Sequence, residues 1–245
     1  MGENSIRQSS HEKTRNRIDW LQQALLEQVF TSGDPVKILE AGCGSGSNIS
    51  LPEHRHVTGI DISAEELNKN PLIDEKIVGD LQSYELPVAE FDLVVCWDVL
   101  EHLDDPRSAV QTLLKAVKPG GCVLLALPNV WSVKGLIAKL TPMWFHWIVY
   151  RMIYGKRYRD DGVAIFPTYL RWYISPLSLV RTAMENRFEI LMFEVYESGV
   201  QRRFNEKFFI RGPVLWLVET LVRVLSLNQV TWRGSDCLLL FKKLG

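Results

Sequence analysis

The stretch EAGCGSGSN, residues 40–48, carries three glycines directly behind a short apolar run. Gly42, Gly44 and Gly46 occupy every second position, and glycine lets a ligand approach the bare backbone. The dinucleotide pattern GxGxxG would need a glycine where the chain has Ser47. The loop therefore predicts a ligand held against the backbone, on a spacing that is not the dinucleotide one.

Strand-like and helix-like segments alternate around this loop. An amphipathic helix is expected over residues 11–31, before the first strand. The stretch PRSAVQTLLKAVKPGG, residues 106–121, is predicted to end in a Pro-Gly-Gly helix stop followed by a turn, and Ser175 with Pro176 predicts the start of a later helix. The alternation predicts an α/β fold, with a parallel sheet covered on both faces. The predicted strands are residues 36–42, 56–63, 76–80, 91–97, 121–128, 189–196 and 236–243.

Two long segments, residues 129–173 and 198–235, interrupt the alternation. Both follow strands at the carboxyl edge of the sheet, where ligands bind, so we expect them to form a cap. The first is rich in aromatic residues and arginine, and the second contains the apolar run PVLWLVETLVRVLSL. The predicted division is a cofactor-binding core (1–128), a cap insertion (129–173), the core continued (174–197), a second cap insertion (198–235) and a final core strand (236–245). The cap aromatics are Trp131, Trp144, Phe145, Trp147, Tyr150, Tyr154, Tyr158, Phe166, Tyr169, Trp172, Tyr173, Phe204, Phe208, Phe209, Trp216 and Trp232.

A carboxylate follows the second predicted strand. Asp61 stands 19 residues after Gly42, where acidic side chains of open parallel sheets bind ribose hydroxyls. The ligand is therefore predicted to contain a nucleoside. The alternative is that Asp61 only caps the helix beginning at Ala64.

Five motifs in order, ILEAGCGSG, GIDIS, GDL, FDLVVCWDVLEHLDDP and KPGG, span residues 36–128. Together they resemble the class I S-adenosylmethionine-dependent methyltransferases, of the methyltransferase type 11 and ubiquinone-pathway O-methyltransferase kind. The resemblance implies a doubly wound, Rossmann-like, seven-stranded and mostly parallel sheet whose last strand is antiparallel, with S-adenosylmethionine as cofactor.

The resemblance also implies the cofactor-binding residues. The glycine loop would pack on the methionine portion, Asp61 would bind the ribose hydroxyls, and Asp80 would contact the adenine amine with Leu81 beside the ring. The set that it implies is Glu40, Gly42, Gly44, Gly46, Asp61, Ile62, Asp80, Leu81, Cys96 and Trp97.

The stretch DVLEH, residues 98–102, follows the fourth predicted strand. Ubiquinone-pathway O-methyltransferases have Glu-x-x-Glu-His here and use it for a divalent metal, and the spacing survives as Asp98, Glu101 and His102. We assign no metal, and we name His102 and Glu101 as the catalytic candidates because imidazole can remove a hydroxyl proton near neutral pH. The alternatives are a metal on these three residues, or Asp98 as a helix cap with Glu101 and His102 as pocket wall. Methyl transfer itself needs little more than alignment and exclusion of water.

The sequence favours a small hydrophobic or lipid-linked acceptor, methylated on oxygen. The Asn/Asp-Pro-Pro-Tyr/Phe tetrapeptide of enzymes that methylate base amino groups or glutamine amides is replaced by CWDV, which argues against nucleic acid. The alternatives are a soluble small molecule or glycan as acceptor, a nicotinamide cofactor on the same sheet, and a protein that binds the cofactor without catalysis.

Charge is divided unevenly along the 245 residues. Residues 1–130 hold 11 Lys and Arg against 20 Asp and Glu, net −9, and residues 131–245 hold 17 against 9, net +8. The basic half predicts contact with an anionic partner or membrane surface. The alternatives are that the two halves attract each other within one domain, or that the apolar runs of the two insertions pack on each other as a cap over an apolar substrate. Residues 1–17 are polar without an apolar signal region, so a cytoplasmic protein is expected. Together with the basic half, this favours a position at the inner face of the membrane. The apolar runs of the two insertions, in residues 129–173 and 198–235, are both too short to span a bilayer. Glu219 and Arg223 in the second run are spaced to pair on one helix.

Overall fold

A seven-stranded sheet forms the centre of the computed structural model, which describes residues 17–30, 35–154 and 168–245. Its strands are β1 (Val36–Ala41), β2 (Arg55–Asp61), β3 (Glu75–Val78), β4 (Phe91–Trp97), β5 (Val117–Pro128), β6 (Phe188–Tyr196) and β7 (Asp236–Lys243). Their order is β3-β2-β1-β4-β5-β7-β6. β7 runs antiparallel to both of its neighbours, and the other neighbouring pairs are parallel. The predicted mostly parallel sheet with an antiparallel last strand is confirmed.

Helices cover both faces of the sheet. Alternate side chains of one strand enter different clusters: Ile38 packs with Leu21 and Leu25, whereas Leu39 packs with Leu113 on the opposite face. Successive side chains point to opposite faces, and both faces are buried. The strands therefore read as continuous apolar runs. The helices are α1 (residues 17–28), α2 (Ala64–Lys69), α3 (Pro106–Ala116), α4 (Val133–Leu140), α5 (Met143–Tyr154), α6 (Pro176–Glu185), α7 (Gly199–Lys207) and α8 (Pro213–Leu225).

Helix boundaries follow from capping groups. The Ser63 hydroxyl accepts from the Glu66 amide and begins α2, and Ser175 precedes Pro176 at the start of α6 as predicted. The predicted Pro-Gly-Gly stop after α3 is wrong in detail. The helix ends at Ala116, β5 already pairs with β4 at Val117, and the register then shifts before pairing resumes.

The two segments predicted as caps are joined at their base. The Thr231 amide donates to the Trp131 carbonyl at 3.0 Å, and the Val133 amide donates to the Thr231 carbonyl at 3.0 Å. Further out, the Lys207 ammonium donates to the Met152 carbonyl, which links α7 to α5. Among the aromatics expected in the cap, Tyr158, Phe166 and the side chains of Trp147, Tyr150 and Tyr154 lie outside the described residues.

Helix α8 lies on the outside of the molecule. It has no buried residue over its 13 positions. Glu219 pairs with Arg233, at 2.6 Å, so the predicted pairing of Glu219 with Arg223 on the same helix is wrong. Within the described ranges, no helix is both long and apolar enough to cross a bilayer.

Candidate active site

The glycine loop between β1 and β2 is held tightly against its neighbours. Gly42 has a left-handed φ of +69°, and a Cβ at this position would lie 2.3 Å from Cγ2 of Val99. Its amide donates to the Ile60 carbonyl at 2.7 Å. Because a side chain here would meet both backbone strain and a clash, only glycine lets the loop sit this close to the chain that follows β4.

Asp61 joins the loop to the end of β2. Its Oδ2 accepts from the Gly44 amide at 2.9 Å, and its Oδ1 accepts from the Ser63 amide at 2.8 Å. A carboxylate oxygen can accept more than one hydrogen bond, so the oriented carboxylate keeps lone pairs for a ligand. The alternative reading, in which Asp61 caps α2, is not supported because Ser63 supplies that cap.

Open space surrounds the outer part of the loop. A Cβ built on Gly44 or Gly46 would meet no atom within 4 Å. Ile62, directly after Asp61, leaves 75% of its surface exposed although it is large and apolar. A bare backbone, an oriented carboxylate and an exposed apolar side chain in one crevice suit a nucleoside cofactor with a short polar tail.

The end of β3 brings Asp80 to the same crevice. The Gly79 amide donates to the Asp61 carbonyl at 3.0 Å, which places the GDL stretch beside the end of β2. Asp80 Oδ1 accepts from the Gln82 amide at 2.9 Å. Leu81 is buried in the hydrophobic cluster, so its backbone is the part that can face a ligand.

Glu40, Cys96 and Trp97 lie deeper. The Ser47 hydroxyl donates to Glu40, whose pKa is raised by burial. Cys96 is buried in the cluster on the α3 face, so only its backbone can reach the crevice. Trp97 is partly buried and packs against the opposite cluster.

The sequence analysis missed one residue that holds the loop. Asn70, at the end of α2, is buried, and its amide donates to the carbonyls of Cys43 and Gly44 at 3.3 and 3.4 Å. These two bonds satisfy carbonyls that a strained loop would otherwise leave without partners. No local pattern distinguishes this asparagine from a helix end.

A cavity of about 520 Å³ lies beside the crevice, where β4, β5 and β6 end and β7 begins. Val99 lies against Gly42 of the glycine loop, and its near neighbours in the chain, Asp98 and Glu101, line the cavity. Most of the wall is apolar and comes from both cap segments. Its apolar members include Val133, Ile137, Phe145, Val149, Ile153, Leu170, Val200, Phe204 and Trp232.

One end of the cavity is charged. We call Asp98, Glu101, Asp236 and Lys134 the acidic pole; all four line the cavity. The Lys134 ammonium donates to both carboxylate oxygens of Asp236 at 2.9 Å. Glu101 is 3% exposed, and its Oε2 has no hydrogen-bond partner. Three carboxyl groups thus face one lysine, and one buried oxygen is left for a ligand.

Burial sets the ionisation of the pole. It raises the pKa of Asp98 to about 6, with the Asp236 charge adding to the effect and Lys134 opposing it. Asp98 is exposed, but the space it faces is the cavity with its largely apolar wall, so its charge is less well hydrated than at an open surface. Burial, reinforced by Asp98, also raises the pKa of Glu101 well above its usual value. Burial therefore favours the protonated form of Glu101.

Asp98 and His102 flank this carboxyl. Asp98 has a left-handed φ of +52° and precedes the 3-10 turn Leu100–His102, whose N-cap is Val99, so the expectation that Asp98 caps a helix is wrong. His102 Nε2 lies 3.8 Å from Glu101 Oε1, and the ring lines the cavity. In the part of the chain that the structure describes, no three His, Cys, Asp or Glu side chains meet in a group that could hold a metal ion.

Comparison with known proteins places these features in a family. A family model described as a methyltransferase domain matches residues 11–175. The chain is 33% identical over 129 residues to a ubiquinone biosynthesis O-methyltransferase of Dechloromonas aromatica, covering 49% of this chain and 53% of that protein. It is 29% identical over 185 residues to the mitochondrial ubiquinone biosynthesis O-methyltransferase of Schizosaccharomyces pombe, covering 68% and 65%. The chain thus spans about half the length of most of the curated relatives it matches.

A solved structure with the same fold carries a cofactor product. Phosphoethanolamine N-methyltransferase 2 of Haemonchus contortus, in complex with phosphomonomethylethanolamine and S-adenosylhomocysteine, matches with a TM-score of 0.54 at 17% identity. The match covers 92% of this chain and 52% of that one. At this level of identity the likeness concerns the fold alone.

Proposed function

This chain belongs to the methyltransferase-domain family, as a class I, S-adenosylmethionine-dependent member, and on that premise we propose that it methylates a hydroxyl group of a small hydrophobic or lipid-linked acceptor at or near a membrane surface. The observation that carries the proposal is the largely apolar cavity with one charged end, beside the glycine loop. The cavity is large enough for a substituted ring and part of a chain.

The residues of the crevice would bind and orient the cofactor. Asp61 would accept hydrogen bonds from the ribose hydroxyls, Asp80 would contact the adenine, and the loop from Gly42 to Gly46 would lie against the methionine portion. The cofactor supplies an electrophilic methyl group on a sulfonium. The protein must then align the acceptor oxygen with that methyl group and exclude water.

The acidic pole would bind the acceptor hydroxyl. His102 is the candidate base that takes the hydroxyl proton, and Glu101 beside it, in its protonated form, would donate to a second oxygen of the acceptor. An anionic acceptor is disfavoured because Asp98 and Asp236 would repel it across a poorly hydrated space. A neutral hydroxyl on an apolar body satisfies both ends of the cavity, and the curated relatives named above are O-methyltransferases.

The charge distribution supports a position at a membrane. Residues 131–245 carry net +8, and they supply most of the cavity wall. Trp144 and Trp216 are 64% and 66% exposed, so neither side chain is buried in the cap. Interfacial tryptophans and basic residues are the usual side chains of proteins that rest on anionic lipid.

A methyl-transfer assay tests the proposal. The full chain is incubated with S-adenosylmethionine and one of two acceptors, a phenol with a long prenyl or alkyl chain or the same phenol without the chain. The mass of the product is measured by mass spectrometry. We expect methylation of the long-chain phenol on oxygen and little of the short one. Preference for a sugar or for the short phenol would favour the soluble-acceptor alternative. No product with any hydroxylated acceptor, despite cofactor binding, would favour a protein that binds without catalysis.

His102 is tested by His102→Ala in the same assay. We expect turnover to fall roughly a hundredfold while cofactor affinity stays unchanged, because a base acts on the acceptor and not on the cofactor. His56→Ala, at an exposed position on β2, is the control. Full turnover in His102→Ala would mean that alignment alone carries the reaction.

A further inference from the structure

Helix α8 exposes apolar side chains that a soluble surface would normally hide. Leu217, Leu221 and Leu225 lie along one face at helical spacing and are 51%, 50% and 83% exposed. Val214 and Val224 extend the same face at 50% and 66%. A continuous apolar face of this kind marks an interaction surface.

The turns at both ends of α8 expose further large apolar residues at a backbone cost. Phe209, before the helix, is 72% exposed with φ +55°, and Leu227, after it, is 84% exposed with φ +51°. Left-handed backbone is unfavourable for residues with a Cβ, and exposure of a large apolar side chain adds to the cost. The Arg211 guanidinium lies 5.5 Å from the centre of the Phe209 ring, yet Phe209 and Leu227 both stay largely exposed, so their apolar surface is available for contact outside the described chain.

The segment that contains this face is basic. Residues 198–235 contain six Lys and Arg and two Asp and Glu. One of the two acids, Glu219, is paired with Arg233. Arg223 lies exposed on α8 itself. The surface therefore combines apolar area with net positive charge, which complements an anionic lipid headgroup layer.

We propose that α8 and its flanking turns at Phe209 and Leu227 form a membrane-docking element that lies in the headgroup region of an anionic bilayer. With 13 residues the helix is too short to span a bilayer, so it would lie in the plane of the interface. A second copy of this chain is a poorer occupant, because a two-fold contact would bring the same basic segment against itself.

Docking through α8 would bring the cavity to the bilayer. Phe204 of α7 lines the cavity and stacks on Phe208 at 4.6 Å, one residue before the exposed Phe209. On the other side, Trp232 lines the cavity, and its neighbour Arg233 holds Glu219 of α8. A lipid-linked acceptor could then pass from the bilayer to the pole beside one helix. This route rests on the proposed function, whereas docking itself does not need an acceptor.

Vesicle co-sedimentation of the full chain is the test. Wild type, Leu221→Glu/Leu225→Glu and Val88→Glu are mixed with phosphatidylcholine vesicles with or without phosphatidylglycerol, at low and high salt. Val88 is the matched control because it is 72% exposed but precedes β4, at the amino ends of the parallel strands and away from the cap segments. We expect wild type and Val88→Glu to bind only the acidic vesicles and to dissociate with salt, and the double variant to lose roughly tenfold or more of its partition.

A second measurement distinguishes loss of membrane binding from misfolding of the double variant. All four native cysteines are buried, so Leu225→Cys provides an exposed thiol for an environment-sensitive dye, and Val88→Cys provides the control. Acidic vesicles should shift the emission of the dye at position 225 to the blue and leave position 88 unchanged. Equal shifts, equal partition of all variants, or a dimer in sedimentation velocity that the double variant dissociates would overturn the proposal. S-adenosylmethionine binding by each variant separates this outcome from failure of the proposed function.

Discussion

Single residues in this chain serve the fold and the candidate site together. Asp61 ends β2, accepts from the backbone of the glycine loop and of Ser63, and still presents lone pairs to the crevice. Asn70 has a supporting role only, because its side-chain amide donates to the carbonyls of the loop. A ligand that binds the loop therefore meets groups whose positions are already held, which lowers the ordering cost of binding.

Asp61→Ala is expected to weaken S-adenosylmethionine binding from the micromolar range by roughly a hundredfold, because hydrogen bonds to a charged acceptor contribute about 1.5–3 kcal/mol each. Calorimetry measures it. Asp74→Ala is the matched control, since Asp74 accepts from the Val57 amide at 2.8 Å near the other end of the same strand. Equal affinities in wild type and Asp61→Ala would show that the carboxylate does not hold the ribose.

Asp98→Asn should change how stability depends on pH. The folded-state pKa of Asp98 is raised from 3.8 to about 6, so its contribution to stability is full below about pH 4 and is lost as the pH rises through about 6. Asparagine cannot ionise and tolerates left-handed backbone. Discounted for solvent access through the cavity, we expect a gain of about 1 kcal/mol at about pH 8, or roughly 2–4 °C in the unfolding midpoint, and no gain at about pH 4.

Thermal unfolding at both pH values checks this expectation. Glu53→Gln, which neutralises an exposed carboxyl, is the control. The same gain at both pH values would rule out titration of Asp98 as the cause. Asp98→Asn should also reduce methyl transfer, since it alters the pole that we propose for the acceptor.

At the scale of elements, short connections place the crevice and long ones place the cavity. The loop from β1 to β2 is shaped by three glycines and by contact with Val99, which follows β4. The cavity instead needs α4, α5 and α7, which come from two insertions tied together through Trp131 and Thr231. The crevice is therefore a property of the core, whereas the insertions shape the cavity that we propose for the acceptor.

Two glycines of the same loop should respond differently to alanine. Gly42→Ala meets Val99 at 2.3 Å in a left-handed backbone, so we expect a loss of about 1–3 kcal/mol in the free energy of unfolding. Gly46→Ala meets nothing within 4 Å, so stability should hold while cofactor affinity falls roughly tenfold, because the added methyl occupies the ligand's space. Denaturant unfolding and calorimetry give the two quantities. Unaltered affinity in Gly46→Ala would place the cofactor away from this glycine.

The whole molecule separates an acidic half from a basic half. Residues 1–130 carry the glycine loop and Asp61, and residues 131–245 carry most of the cavity wall and the exposed helix α8. On the proposed function, the basic residues of the second half would face an anionic lipid surface and hold the cap towards it.

Ligand binding to the folded state should raise the unfolding midpoint of the whole chain. S-adenosylmethionine at a hundred times its dissociation constant stabilises by about 2.7 kcal/mol, which corresponds to roughly 5–11 °C for a chain of this size. NAD at the same concentration should produce no shift. A shift with NAD as large as that with S-adenosylmethionine would support the nicotinamide alternative.

The sequence by itself determined the sheet, the glycine loop and the position of Asp61, because these depend on local periodicity and on residues next to a strand end. Only the tertiary structure decided the acidic pole: β7 pairs with β5 so that Asp236 lies opposite Pro128, which brings it to Lys134, about a hundred residues earlier in the chain. It likewise decided that Glu219 pairs with Arg233 and that α8 packs no face in the core. Strand pairing and helix docking are long-range contacts, and neither spacing nor composition encodes which distant side chains they bring together.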